Sequence, residues 1–251
     1  MIFNKTKLLL ISSLLATQVL QATVTNNNEF IDEAGKQRML TQKIKKNYLL
    51  ITLGEEGKKE IYQEDINEFS SNLQDLKNYT KSKEIDLSND NIIKKWKEVK
   101  KLLENPNEKN AKEVSSKLDK LLKLSNQYVN DFILKENIDE LATINISGRQ
   151  RMMSQKLASL YLLKILNITD NQKEIKKELK DFRDSNEYLK SVEENTEEIK
   201  KDLNKIGKAY KSFEKLLLNY HINMPLFIDR QSMKLLILTN KITNEYAKIL
   251  K

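Results

Sequence analysis

The chain has 251 residues, of which 32% are charged, and it contains five glycines, two prolines and no cysteine, with a formal net charge of +8. So few backbone breakers exclude a turn-rich β fold and a Gly/Pro-rich linker chain, and the absence of cysteine excludes disulfides, a lipoprotein anchor and thiolate metal sites. Lysines account for most of the basic residues and alternate with 36 acidic residues, a pattern typical of solvated helix faces that argues against nucleic acid as a partner. The composition therefore predicts an all-α protein.

The first 22 residues predict an export signal. Two lysines precede an apolar stretch from Leu8 to Leu20, and Ala22 offers a small residue for cleavage. This stretch is too short for a comfortable membrane span, which indicates a secretory signal peptide over residues 1–22 and a periplasmic location. Leu20 stands where a small residue is usual, so an uncleaved N-terminal anchor is the alternative.

A ten-residue segment occurs twice in the chain. Ala34–Lys43, with the sequence AGKQRMLTQK, recurs as Ser147–Lys156, with the sequence SGRQRMMSQK, at an offset of 113 residues (from 34 to 147). Six of the ten positions are identical and four are conservative, and the match resumes at residues 48–50 against residues 161–163. This repeated segment implies two copies of one module, which we place at residues 23–137 and 138–251.

Each copy is predicted to form four helices, of which the repeated segment is the first. In copy one, the second helix has apolar residues at alternating spacings of four and three, as does the third helix of copy two. The residues are Tyr62, Ile66, Phe69, Leu73, Leu76, Ile199, Leu203, Ile206, Tyr210, Phe213 and Leu217. Trp96 is expected to be a core residue.

Breaks between these helices are predicted at six places. They are residues 54–57, 87–90, 105–106, 167–171, the neighbourhood of residue 195, and residues 224–225. Pro106 and Pro225 are expected in the first turn of the fourth helix of each copy. The sequence thus predicts two tandem four-helix up-and-down bundles related by an internal repeat.

The arginines of the repeated segment lie away from the apolar stripe of their own helix. Arg38 precedes Leu40 by two residues, which places it about 200° around the helix from that leucine, and Arg151 precedes Met153 in the same way. The stripes are Leu40, Ile44, Tyr48 and Ile51 in copy one, and Met153, Leu157, Tyr161 and Ile165 in copy two. We expect each stripe to face its own bundle.

A glycine precedes each of these arginines by three residues, at Gly35 and Gly148. Glycine inside a helix costs about 1 kcal/mol relative to alanine, so its presence in both copies indicates that another helix approaches closely. The other side chains on this face are polar, namely Thr41, Gln42, Ser154 and Gln155. We expect the arginine face to meet the matching face of the other copy across a pseudo-two-fold interface.

Two interpretations of Arg38 and Arg151 remain open on the residues alone. Two guanidinium groups held face to face repel each other unless an anion lies between them, and their planar forks suit a planar oxyanion, with the four polar neighbours as further donors. The alternative is a structural helix seam, in which Arg38 pairs with Asp32 or Glu33 and Arg151 is an ordinary surface charge.

The arrangement of the two bundles is also open. No glycine or proline interrupts residues 107–147, so the fourth helix of copy one could run straight into the first helix of copy two and stack the bundles end to end. The arginines of one chain could then meet only those of a second chain, in a homodimer. A short break at residues 137–139 would instead place the bundles side by side.

The segments AGKQRM and SGRQRM resemble the first-helix motif of the PilJ/NarX-like N-terminal sensor domains of type IV pilus chemotaxis transducers and nitrate/nitrite sensor histidine kinases. The resemblance implies a periplasmic four-helix bundle in which the motif helices of two bundles meet and their arginines hold nitrate or nitrite. The anion-binding arginine of the motif falls on Arg38 and Arg151. Its glycine falls on Gly35 and Gly148, and a downstream basic position falls on Lys43 and Lys156.

No enzyme site and no cofactor are predicted. The one histidine, His221, is isolated, and the sequence has no metal-ligand cluster, phosphate-binding glycine loop or nucleophile elbow. Because the sequence holds no kinase or methyl-accepting segment, we expect a membrane-bound sensor kinase or chemoreceptor to respond to the bound anion. A ligand-free helical adaptor of a chemosensory or pilus-associated system is the alternative function.

Overall fold

The computed structural model describes residues 24–79, 82–218 and 224–250, so the predicted signal peptide and His221 lie outside the described residues. The described residues form eight α-helices, one short 3-10 helix at Glu56–Lys58 and no strand. The helices are α1 (Asn27–Thr52), α2 (Lys59–Tyr79), α3 (Lys83–Leu102), α4 (Glu108–Glu136), α5 (Glu140–Ile165), α6 (Gln172–Lys190), α7 (Glu197–Leu218) and α8 (Pro225–Ile249).

Side-chain caps and backbone geometry explain several helix ends. The side chains of Asn26 and Asn107 accept hydrogen bonds from backbone N–H groups in the first turns of α1 and α4, both at 3.0 Å. Pro225 occupies the first turn of α8, as predicted. Asn137 adopts a left-handed conformation with φ of 52°, which ends α4 and allows the chain to turn before α5.

Two predicted local features are wrong. Residues 87–90 lie inside α3 and do not form a break, and the buried Asn89 side chain donates to the Leu73 carbonyl oxygen of α2 at 3.2 Å, which gives its amide N–H a partner within the bundle. Pro106 lies before α4 and not in its first turn, because Asn107 is the residue that caps the helix.

The helices form two bundles, α1–α4 and α5–α8, each of which runs up and down, as predicted. The bundles lie side by side, with the long contact between α1 and α5 at the centre and a further contact between α1 and α8. The short turn at residues 137–139 makes this arrangement possible, so the end-to-end stack is wrong and one chain supplies both arginine faces. None of the described helices is long and apolar enough to span a membrane.

The core of each bundle is built from the predicted apolar stripes. In copy one, Leu40, Ile44 and Tyr48 are fully buried, and Trp96 packs against Phe69 with ring centroids 4.3 Å apart. Each fully buried large apolar side chain contributes about 1.5–3 kcal/mol to folding. Since α1 and α5 are covered by their own bundle on one side and by the other bundle on the opposite side, their polar faces are buried as well.

Candidate functional site: an arginine pair between the bundles

Arg38 of α1 and Arg151 of α5 lie together in the interface between the bundles. Their residues are only 1% and 2% exposed. A Cβ atom placed on Gly35 would lie 3.0 Å from Nη2 of Arg38 and 3.2 Å from Nη2 of Arg151. The sum of these two distances is therefore an upper limit for the separation of the two Nη2 atoms. The corresponding distances at Gly148 are 3.5 and 3.2 Å. The two glycines thus leave the space that the guanidinium groups fill.

Each arginine reaches across the interface to the same position in the other copy. Nη1 of Arg38 donates to Oδ1 of Asn145 at 2.6 Å, and Nη1 of Arg151 lies 2.7 Å from Oδ1 of Asp32. Asp32 and Asn145 are separated by the same 113 residues (from 32 to 145) as the two arginines. The two copies therefore place the partners of the arginines at equivalent positions, but Asp32 is charged and Asn145 is neutral.

Arg151 is well supplied with acceptors. Besides its ion pair with the Asp32 carboxylate, its Nη2 donates to the Asp32 backbone carbonyl at 3.0 Å, and its Nη1 donates to Oδ1 of Asn240 in α8 at 3.0 Å. Glu33, the next acidic residue along α1, accepts from the Asn72 amide at 2.5 Å and pairs with Lys36 at 3.5 Å. Asp32 is thus the carboxylate that forms an ion pair with Arg151.

Arg38 lacks an equivalent partner. Within residues 24–79, 82–218 and 224–250, no carboxylate lies within ion-pair distance of its guanidinium, and its buried Nε and Nη2 atoms have no hydrogen-bond acceptor. Burial, followed by repulsion from Arg151 and Arg149, lowers the pKa of Arg38 to about 9. The interface therefore holds a buried cation without a counterion, an arrangement that is costly unless an anion compensates for it.

Four polar residues predicted near the site have other partners. The hydroxyl groups of Thr41 and Ser154 donate to the backbone carbonyls of Arg38 and Arg151, both at 2.7 Å. The amides of Gln42 and Gln155 contact α4 and α8, respectively, through Asp119 (3.3 Å) and the Ser232 carbonyl (3.1 Å). These side chains are buried beside the arginines, but their polar hydrogens are directed to other groups.

The two lysines of the repeated segment face their own bundles. Lys43 forms a 2.6 Å ion pair with Asp65 in α2, and Lys156 forms a 2.5 Å ion pair with Glu178 in α6. The acidic partner follows the lysine by 22 residues in both copies, so this contact repeats with the module. The lysines hold the second helix of each bundle against the first, and the structure does not bring them to the arginine pair.

Sequence reasoning missed the acceptors that distinguish the two arginines. The seam interpretation assigned Asp32 to Arg38, whereas Asp32 pairs with Arg151, and neither arginine is a surface charge. Applying the repeat offset to Asp32 would have identified Asn145. No local pattern signals Asn240, because its position depends on how α8 packs against α5.

A second buried group of charges, also missed, lies farther along the same interface. Lys46 is fully buried and forms a 2.5 Å ion pair with Asp229 of α8, which also pairs with Lys58 at 2.5 Å. Burial acts to raise the pKa of Asp229, but the two lysines outweigh it and leave the pKa below its ordinary value. Copy two has Ser159 at the position equivalent to Lys46, so this contact occurs on one side of the interface only.

An acidic cluster elsewhere among the described residues is paired with lysine. Glu198, Asp202 and Glu245 bring their carboxylates within 4.8 Å of one another. The Lys241 ammonium pairs with all three, at 2.6, 2.7 and 3.4 Å, and Lys205 pairs with Asp202 at 2.5 Å, so lysine side chains already occupy the positions around these carboxylates.

Both copies match one family model, described as the type IV pili methyl-accepting chemotaxis transducer N-terminal domain, over residues 19–128 and 134–237. No curated protein and no solved structure gives a significant match to the chain. The two matched ranges together cover most of the sequence.

Proposed function

Because the chain belongs to the PilJ family of type IV pili methyl-accepting chemotaxis transducer N-terminal domains, we propose that it is a periplasmic sensor that binds nitrate or nitrite between Arg38 and Arg151. The family is sensory and non-catalytic, and its domains are typically periplasmic parts of membrane chemoreceptors. The family therefore indicates a chemotaxis transducer-type sensory region that acts through signalling partners.

The observation that supports an anion is the unpaired charge of Arg38. Its Nε and Nη2 atoms are buried donors without acceptors among the residues that the structure describes, and Nη2 lies close to the guanidinium of Arg151. An oxyanion between the two groups would accept hydrogen bonds from both and reduce their mutual repulsion. Nitrate and nitrite are planar, which suits the planar donor fork of arginine.

The position of the pair links anion binding to the relative placement of the bundles. Arg38 belongs to α1 and Arg151 to α5, and these helices form the central contact of the molecule. A ligand that bridges them favours whichever α1–α5 arrangement binds it more tightly, and it shifts the population only by that difference in affinity. We propose that a membrane-bound chemoreceptor or sensor kinase responds to this shift.

Thermal unfolding of the purified protein with nitrate, nitrite and chloride tests the proposal. We expect nitrate or nitrite at millimolar concentration to raise the melting temperature, since a ligand at 100 times its Kd stabilises a protein by about 2.7 kcal/mol. The R38A variant should lose this response. R183A is the matched control, because Arg183 is a half-exposed arginine of α6 whose nearest carboxylate contact is long, at 3.7 Å.

Two results would contradict the anion proposal. One is the absence of any stabilisation specific to nitrate or nitrite, and the other is a stabilisation that survives replacement of both Arg38 and Arg151 by alanine. Either result would favour the alternative function, a helical adaptor in which the arginines only join the bundles. The ion pair of Arg151 with Asp32 would then be a purely structural contact between the copies.

A further inference from the structure

The two halves of the arginine site carry different charges at equivalent positions. Asp32 stands opposite Arg151, and Asn145 stands opposite Arg38. The two positions are equivalent in the repeat, so the difference in charge comes from the residue type at each position and not from the backbone. An aspartate at both positions would neutralise the site, and an asparagine at both would leave two unpaired guanidinium groups.

The free hydrogen-bond donors of the site belong mainly to Arg38. Nη1 and Nη2 of Arg151 are already engaged by Asp32 and Asn240, which leaves only its Nε without an acceptor. Arg38 uses Nη1 for Asn145 and keeps both Nε and Nη2 free. An incoming anion would therefore find two donors on Arg38 and fewer on Arg151.

The charges at the site favour one negative charge in the ligand. Among the groups in direct contact at the site, two arginines and one aspartate leave a single positive charge, and both arginines are at least 98% buried. Arg149, which also repels Arg38, is exposed to solvent, and Glu33, which attracts Arg151, is paired with Lys36, so both act on the site more weakly. A monovalent anion makes the group neutral, whereas a divalent anion adds a surplus negative charge close to Asp32. Like charges brought together in a buried interface weaken binding, on the order of a hundredfold in affinity.

We propose that Asp32 is a specificity-determining residue that restricts this site to a single monovalent anion bound chiefly by Arg38, and that Asn145 keeps the site positive enough to bind an anion at all. This inference rests on the proposed function, because it concerns the charge of the ligand at the same arginine pair. It extends that function by assigning roles to two residues outside the repeated segment.

Two single substitutions test the inference by calorimetric titration with nitrate and sulfate. D32N removes the negative charge opposite Arg151, and N145D adds a negative charge opposite Arg38. We expect the wild-type protein to bind nitrate and to bind sulfate at least tenfold more weakly. In D32N, Arg151 loses its carboxylate, so sulfate affinity should rise at least tenfold relative to nitrate affinity. In N145D, Arg38 gains a carboxylate, so nitrate affinity should fall at least tenfold.

The melting temperature without added anion provides an independent readout. N145D should melt higher than the wild-type protein, because the new carboxylate neutralises Arg38, so a loss of nitrate binding in this variant cannot be attributed to unfolding. Far-UV circular dichroism at the titration temperature establishes that D32N is folded.

The possible outcomes separate the inference from the proposed function. If the wild-type protein binds nitrate but D32N keeps its preference for nitrate over sulfate, the role of Asp32 is wrong and the anion site stands. If N145D binds nitrate as tightly as the wild-type protein, the role of Asn145 is wrong. If the wild-type protein binds sulfate as tightly as nitrate, the restriction to monovalent anions is wrong. If neither the wild-type protein nor D32N binds any anion, both proposals fail together.

Discussion

Arg38 is a buried positive charge without a carboxylate partner among the described residues. Its guanidinium is buried beside a second guanidinium and donates one hydrogen bond, to the neutral Asn145 side chain. Arg151 is equally buried but has a carboxylate partner. The two arginines occupy the same position in the repeated segment. We therefore expect any difference in their contributions to stability to come from the residues opposite them.

Replacing each arginine by methionine should therefore have opposite effects in the absence of anions. R38M removes an uncompensated buried charge while keeping most of the side-chain volume, and we expect the free energy of unfolding to rise by about 1 kcal/mol. R151M leaves the Asp32 carboxylate without its arginine, and we expect a loss of about 2–3 kcal/mol. Urea denaturation of both variants in a buffer without small oxyanions measures the difference. A larger loss in R38M than in R151M would contradict this account.

The two glycines of the repeated segment provide space for the arginine side chains. The sequence indicates a close helix approach at Gly35 and Gly148, and the structure shows what takes up the space. At both positions a Cβ atom would crowd guanidinium nitrogens at 3.0–3.5 Å. A side chain at either position would therefore displace the arginine side chains by a few tenths of an ångström, so the glycines accommodate the guanidinium groups as well as the approach of the helices.

Helix α1 differs from α5 in how it is fixed in the interface. Both carry the repeated segment, but α1 adds two buried lysines, Lys45 and Lys46, where α5 has Ala158 and Ser159. Lys45 pairs with Asp119 within copy one at 2.9 Å, whereas Lys46 pairs with Asp229 in copy two. The Lys46 contact joins α1 to α8, as does the Asn28 amide, which donates to the Ala247 carbonyl oxygen at 3.2 Å.

Substituting Asp229 by asparagine should strongly destabilise the protein. The change leaves Lys46 buried without a counterion, for which we expect a loss of about 3–5 kcal/mol near neutral pH. D90N is the matched control, because Asp90 and Lys77 form an exposed ion pair whose loss should cost less than about 1 kcal/mol. Urea denaturation measures both, and similar losses in the two variants would show that Lys46 does not depend on Asp229.

The ion pair of Lys46 with Asp229 should make the stability of the protein depend on pH. Because the folded-state pKa of Asp229 lies below its ordinary value, its contribution to stability is fully present above about pH 4 and is lost as the pH falls through the lower folded-state value. The stability difference between the wild-type protein and D229N should therefore narrow as the pH falls through that acidic range. A difference that narrows between pH 5 and pH 7 would point to another group.

For the whole molecule, the central position of α1 and α5 makes the two copies interdependent. Each of these helices completes the core of one bundle and covers a face of the other. Separating the copies would expose the arginine pair and Lys46, which are buried in the interface. We therefore expect the bundles to unfold together and not as independent domains.

The single tryptophan allows this cooperativity to be measured. Trp96 reports on copy one alone, whereas far-UV circular dichroism reports on all helices, so the two urea transitions should coincide. F182A removes a fully buried ring in copy two that stacks on Tyr210, and it should cost about 3–5 kcal/mol. If the copies are coupled, this distant change also shifts the Trp96 transition. An unchanged Trp96 transition in F182A would show that copy one unfolds independently.

Much of this organisation could be predicted from the sequence because it depends on periodicity and repetition. The apolar stripes that contain Leu40 and Met153 determine which face of α1 and α5 enters its own bundle, and the offset of Arg38 and Arg151 from these stripes places the arginines outside it. The misplaced break at residues 87–90 shows the limit of this reasoning, since the polar Asn89 is accommodated by a carbonyl group on another helix.

The sequence by itself determined the all-α class, the two copies and the face of α1 and α5 that carries Arg38 and Arg151. Only the tertiary structure decided that Arg151 has Asp32 as its counterion, that no carboxylate in the described part of the chain pairs with Arg38, and that Lys46 is a buried residue and not a solvated one. The physical reason is that a helical period specifies the direction of a side chain around its own axis. The charge it meets there is supplied by a different helix, and it depends on how the two helices are packed and aligned.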